Sequence, residues 1–72
     1  MDKNINMQKL NVRMYVQYNN ESAAMFAKRL EDLCEAIVLD NQMSLNGLPT
    51  ISLTSDGNGR QTATIQYITT KL

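Results

Sequence analysis

The sequence predicts an α+β fold: a single domain of β-α-β-β order, with one helix packed on one face of a three-stranded, mainly antiparallel sheet of order 2-3-1. Three observations predict it. Apolar and polar residues alternate from Leu10 to Tyr18, apolar residues then recur at helical spacing from Ala23 to Ile37, and two more alternating segments flank a Gly-rich turn. No internal repeat, linker or low-complexity run divides the 72 residues, so residues 1–72 read as one domain with residues 1–8, polar in composition, as a flexible start.

In chain order, Leu10, Val12, Met14 and Val16 alternate with Asn11, Arg13, Tyr15 and Gln17, the period of a half-buried strand. The more apolar set is expected to face the core, and Asn11, Arg13, Tyr15 and Gln17 to face away. Asn19-Asn20 ends this strand and offers a helix N-cap, placing Glu21 in the first turn where the helix dipole favours a negative charge. Ala23, Phe26, Ala27, Leu30, Leu33, Cys34 and Ile37 then draw one apolar stripe, with Lys28, Arg29, Glu31, Asp32 and Glu35 on the other faces. Lys28 and Asp32 form an i,i+4 pair of opposite sign. The helix is expected to stop near Asp40 or Asn41, with Asn41 in a left-handed C-cap.

Gln42 to Pro49 reads as a loop with a turn at Asn46-Gly47. Thr50 to Thr54 is the second strand, with Ile51 and Leu53 inward and Thr50, Ser52 and Thr54 outward. Asp56-Gly57-Asn58-Gly59 then supplies a hairpin turn, and Gln61 to about Thr70 the third strand. On that strand Ala63, Ile65 and Tyr67 share one face and Thr62, Thr64, Gln66 and Ile68 the other. A crossover through the helix makes strands one and two parallel, and the hairpin makes strand three antiparallel to both when it lies between them.

Composition narrows the chemistry. The chain has no histidine and one cysteine, so a His-containing triad, an imidazole metal site and an internal disulfide are all excluded. Cys34 lies on the apolar stripe with no base to activate it, which fits a structural thiol. Glu31 and Glu35, one turn apart, suit a solvated helix better than a metal or a shared proton. Asp56 to Gly59 lacks the further ligands of a calcium loop, and the Lys-Ser/Thr and following helix of a phosphate loop. The expectation is a protein that is not an enzyme and carries no cofactor or metal. Met14 and Met25 read as packing residues, and Met43 as a loop residue.

Seven basic and seven acidic residues give zero formal net charge, which argues against electrostatically driven nucleic-acid binding. Met1 to Gln8 has no apolar leader core and no apolar run nears a membrane span, so the expectation is a cytoplasmic protein without a membrane partner. A chain this short buries only about 60% of its unfolded surface, so an oligomer or a host protein is expected to complete its core.

One helix covers one face of the sheet and leaves the other free. The residues expected on that free face include Arg13, Tyr15, Gln17, Thr54, Thr62, Thr64, Gln66 and Ile68, an uncharged set but for Arg13. Low charge with Tyr, Arg and Thr resembles a contact surface. The function expected is a non-catalytic interaction module that self-associates, or binds and inhibits a larger host protein, in the manner of small phage- or mobile-element-encoded proteins. The alternatives are a small-ligand-binding homo-oligomer with pockets between subunits near Tyr15, Tyr18 or Tyr67, and a small nucleic-acid binder using Arg13 and Tyr15.

Overall fold

The computed structural model describes residues 7–71, as β1 (Met7–Val16), α1 (Ala23–Asp40), β2 (Leu45–Ser55) and β3 (Gln61–Lys71). The sheet order is β1-β3-β2, and both outer strands run antiparallel to the central β3. Topology and element order are those the periodicities predict. Of the segment expected to be flexible, Met7 and Gln8 pair with Lys71 and Thr70 in β1. Residues 1–6 lie outside the described residues.

The helix boundaries are set by side chains at both ends. Ser22, not Asn19 or Asn20, is the N-cap: its Oγ accepts the Met25 N–H at 3.1 Å, satisfying one of the orphan donors of the first turn. Glu21 precedes the cap and leaves the first turn without an acidic residue, because its carboxylate is taken up by the Tyr18 N–H and by Arg29. Asn41 caps the C-terminus without entering the left-handed region, at φ −120°. Its Nδ2 donates to the Ile37 carbonyl at 2.8 Å, and its own N–H donates to the same oxygen at 3.1 Å, so the side chain does what an αL turn would otherwise do.

β2 starts five residues before the expected Thr50, absorbing much of the predicted loop. Asn46 pairs with Ile68 and Thr50 with Gln66, so Gly47, Leu48 and Pro49 together oppose Tyr67 in a bulge. Pro49 lacks an N–H for the ladder and is tolerated on an edge strand at such a bulge. Gly47 supplies the positive φ of +81° that the irregularity needs. The hairpin forms where Asp-Gly-Asn-Gly predicts it: the Asp56 carboxylate accepts the N–H groups of Asn58 and Arg60 at 2.9 and 3.0 Å. Gly59 sits at φ +82°.

The core lies between α1 and β3. Phe26, Leu30 and Ile37 of the helix pack on Ala63, Ile65 and Tyr67, with Tyr15, Leu33, Cys34 and Leu45 around them. The small side chain of Ala63, fully buried, permits close approach of the helix. Ile51 and Leu53 share this side of the sheet, through their pairing with Ile65 and Ala63, yet remain 43% and 54% exposed. A single helix about 10–12 Å wide cannot roof three strands spaced about 4.8 Å apart, and Ile51 and Leu53 on β2, like Lys9 and Arg13 on β1, stay exposed at its margins.

The largest departure from expectation concerns β1. Cα pairing sets Arg13 opposite Ile65 and Tyr15 opposite Ala63, so the Asn11-Arg13-Tyr15 phase shares the helix side. Leu10, Val12, Met14 and Val16 turn to the opposite, uncovered side, where they are 45–68% exposed. Met14 is therefore not a core residue, and Met25, 58% exposed, is not one either. The inward phase is held by polar contacts that an alternation pattern does not reveal. Asn11 Nδ2 donates to the Tyr67 carbonyl and to Thr69 Oγ1, and the Arg13 guanidinium lies 5.8 Å from the Tyr67 ring centroid.

Candidate interaction surface

The side of the sheet away from the helix is built from alternate residues of all three strands. β1 contributes Gln8, Leu10, Val12, Met14 and Val16. They lie opposite Thr70, Ile68, Gln66, Thr64 and Thr62 of β3, and Thr50, Ser52 and Thr54 of β2 complete the face. Leu10, Val12, Met14 and Val16 make a continuous apolar stripe along the outer strand, and Ile68, 37% exposed, extends it onto the centre. Around them stand threonines and a serine, side chains suited to strands and able to face either water or another protein.

Charge is segregated from this face. The strands hold three charged side chains, Lys9, Arg13 and Lys71, and all three fall in the phase of Tyr15 and Tyr67, on the helix side. The other described charges lie on the helix, before it or in the hairpin turn. Lys28 pairs with Asp32 at 3.0 Å and with Glu31 at 3.7 Å on the exposed flank of α1, which accounts for the carboxylates there as a solvated network. An antiparallel sheet with one wet face ordinarily alternates apolar-in and polar-out. Here the most apolar phase of β1 is out, and no described charge accompanies it.

The residues expected to form one interaction surface separate into two groups. Thr54, Thr62, Thr64, Gln66 and Ile68 do lie together on the open face. Arg13, Tyr15 and Gln17 lie on the helix side, where each has an intramolecular role. Tyr15 packs against the core, and Arg13 lies by Tyr67. Gln17 donates to the Glu21 carbonyl at 2.8 Å and accepts the Gln61 N–H at 3.0 Å. Missing from the expected set are Leu10, Val12, Met14 and Val16. Their shared period-two phase is plain in the sequence, but a rule that sends the more apolar phase inward assigns it to the core.

Two other clusters have the makings of a site. At the end of the sheet, Arg29 donates to both oxygens of Glu21 and to the Val16 carbonyl, each at 2.9 Å, while its guanidinium lies 4.1 Å from the Tyr18 ring centroid and 5.0 Å from that of Phe26. Arg29 thereby holds the Glu21 carboxyl below its ordinary pKa and staples the β1–α1 connection to the helix. With Nε, Nη2 and both ring contacts engaged within the chain, this cluster is accounted for as a structural clamp. Along the uncovered margin of the core, Ala23, Phe26, Ala27, Leu30, Ile51, Leu53 and Gln61 line an open groove between α1 and β2, and no ionisable side chain is among them. Cys34 is half-buried, and burial pushes its thiol pKa up, away from the thiolate that nucleophilic work requires.

Among the described residues no three or more His, Cys, Asp or Glu side chains converge as a metal site. No described helix is long and apolar enough to cross a membrane. No protein-family model matches the chain, and neither the curated proteins nor the solved structures contain a match to it.

Proposed function

We propose that this chain is a non-catalytic protein-interaction module that works through the open face of its sheet. The observation that supports the reading is the uncovered stripe of Leu10, Val12, Met14 and Val16, set in a face that carries no described charge. Contact between such a face and water is unfavourable by roughly 25 cal/mol per Å² of apolar area, and a protein partner removes that area from water. Nucleic acid is disfavoured by the same geometry. Tyr15 and Tyr67 stand on the helix side, packed on or within the core, so the open face offers no aromatic platform and no described cation to a base or a phosphate.

The test is site-specific photo-crosslinking in the cells that make the protein. A benzophenone amino acid in place of Met14, on the open face, is expected to yield covalent protein adducts. The same group in place of Glu31, whose side chain is 77% exposed on the outer flank of the helix, is expected to yield few. Equal adduct formation from both positions, or none from position 14, defeats the reading.

A further inference from the structure

We infer that the occupant of the open face is a second copy of this chain, packed sheet against sheet to give a two-fold dimer of four layers, helix, sheet, sheet, helix. The inference rests on the interaction reading above and names the partner. The absence of described charge is the first reason. A two-fold contact sets one surface patch against itself, so any charge near its centre meets its own like charge. The open face, built from Leu10, Val12, Met14 and Val16 beside uncharged threonines, meets itself without that cost.

Area is the second reason. Strands of 10 and 11 residues, three abreast, present a face about 35 Å long and 14 Å wide. Two such faces in contact bury on the order of 1,000 Å², where specific interfaces begin, before side-chain relief and the flanks are included. The Cα envelope is only 13 Å across its thinnest direction, the depth of one sheet and one helix, so a second layer against the bare side completes an ordinary sandwich.

The position of the stripe also selects the axis. The apolar residues run along the outer strand β1 and not down the middle of the sheet. A two-fold axis lying between the sheets and across the strands sets the β1 stripe on its own copy, with Val12 and Met14 nearest the axis. An axis along the strands would instead set the stripe over the Thr50-Ser52-Thr54 row of β2.

Size-exclusion chromatography with light scattering on the intact protein tests this. The wild type is expected at twice 8.1 kDa. Thr64→Arg places a charge beside Met14 in the middle of the face and is expected at the monomer mass, with helical circular dichroism retained. A Thr64→Arg chain that stays dimeric shows association elsewhere, such as through the edge of β1, and overturns the inference. Because the variant can lose its fold, hydroxyl-radical oxidation of the wild type supplies a second measure. In concentrated protein Met14 is expected to oxidise several-fold more slowly than Met43, which is 97% exposed, and to recover on dilution. A dimer whose Met14 oxidises like Met43 overturns the inference, as does a wild-type monomer at submillimolar concentration. If that monomer still crosslinks through position 14 to a different protein, the interaction reading stands and only the second copy is lost; with no adduct at position 14, both fall.

Discussion

Replacing Met14 and Tyr15 separately with alanine tests the orientation of β1, because the two neighbours share a strand and differ only in the face they occupy. Tyr15 packs against the Phe26-Ile65-Tyr67 core and is mostly covered. If its ring withholds about 100–150 Å² from water, at roughly 25 cal/mol per Å² Tyr15→Ala costs about 2.5–4 kcal/mol. Met14 is 68% exposed, so Met14→Ala forfeits only about a third of the ~1.5–3 kcal/mol of a fully buried side chain, about 0.5–1 kcal/mol. A 72-residue domain has roughly 4–11 kcal/mol in total, so the first change removes a large fraction of it and the second does not. Urea unfolding followed by circular dichroism in dilute protein gives both values, with the slope m checked for constancy. A Met14→Ala loss equal to or above that of Tyr15→Ala in dilute protein would refute the placement of the stripe on the open face. Repeating the pair in concentrated protein adds the linkage to assembly: the Met14→Ala penalty is expected to grow with concentration and the Tyr15→Ala penalty to stay nearly constant.

Three further outcomes are expected. Gly59→Ala forces a side chain into φ +82° and is expected to lower stability by about 1–2 kcal/mol, whereas Gly57→Ala, with open space and no positive φ, is expected to be near neutral in thermal melts. The Glu21 carboxyl has a folded pKa held below its ordinary 4.5 by Arg29, so its contribution is complete above pH 4.5 and is lost as pH falls through the depressed folded value. Wild type and Glu21→Gln are therefore expected to differ most in stability near neutral pH and to converge in acid, and a gap that widens below pH 4 contradicts the ion pair with Arg29. Burial raises the Cys34 thiol pKa above its ordinary 9.0, so iodoacetamide is expected to alkylate the folded protein more slowly at mildly alkaline pH than the urea-unfolded chain, and equal rates would mean that the thiol is open.

Much of this architecture is set by local pattern. Period-two alternation, a clean apolar stripe from Phe26 to Ile37 and a double Gly turn specify strand, helix and hairpin, and the hairpin together with the crossover specifies the antiparallel order. These are properties of neighbouring residues along the chain, so they can be read without knowing what packs on what. The helix caps are a finer case. Ser22 and Asn41 are ordinary capping residues, but which of several candidates serves depends on partners brought from elsewhere, such as Arg29 drawing Glu21 away from the first turn.

The face of β1 was decided only by tertiary structure. Alternation establishes that Leu10, Val12, Met14 and Val16 lie together, and it says nothing about which side of the sheet the helix takes. That choice came from the register with β3, whose Ala63, Ile65 and Tyr67 meet the helix and carry Arg13 and Tyr15 to the same side. Asn11 and Gln17 tolerate the inward phase because the Tyr67 carbonyl, Thr69, the Glu21 carbonyl and the Gln61 N–H satisfy their amides. A rule that sends the more apolar phase inward weighs transfer from water alone. It cannot include hydrogen bonds between residues as distant in sequence as Asn11 and Tyr67, and it assumes a single covered face. Local patterning sets the elements and their order, and long-range pairing selects which side of β1 is left bare.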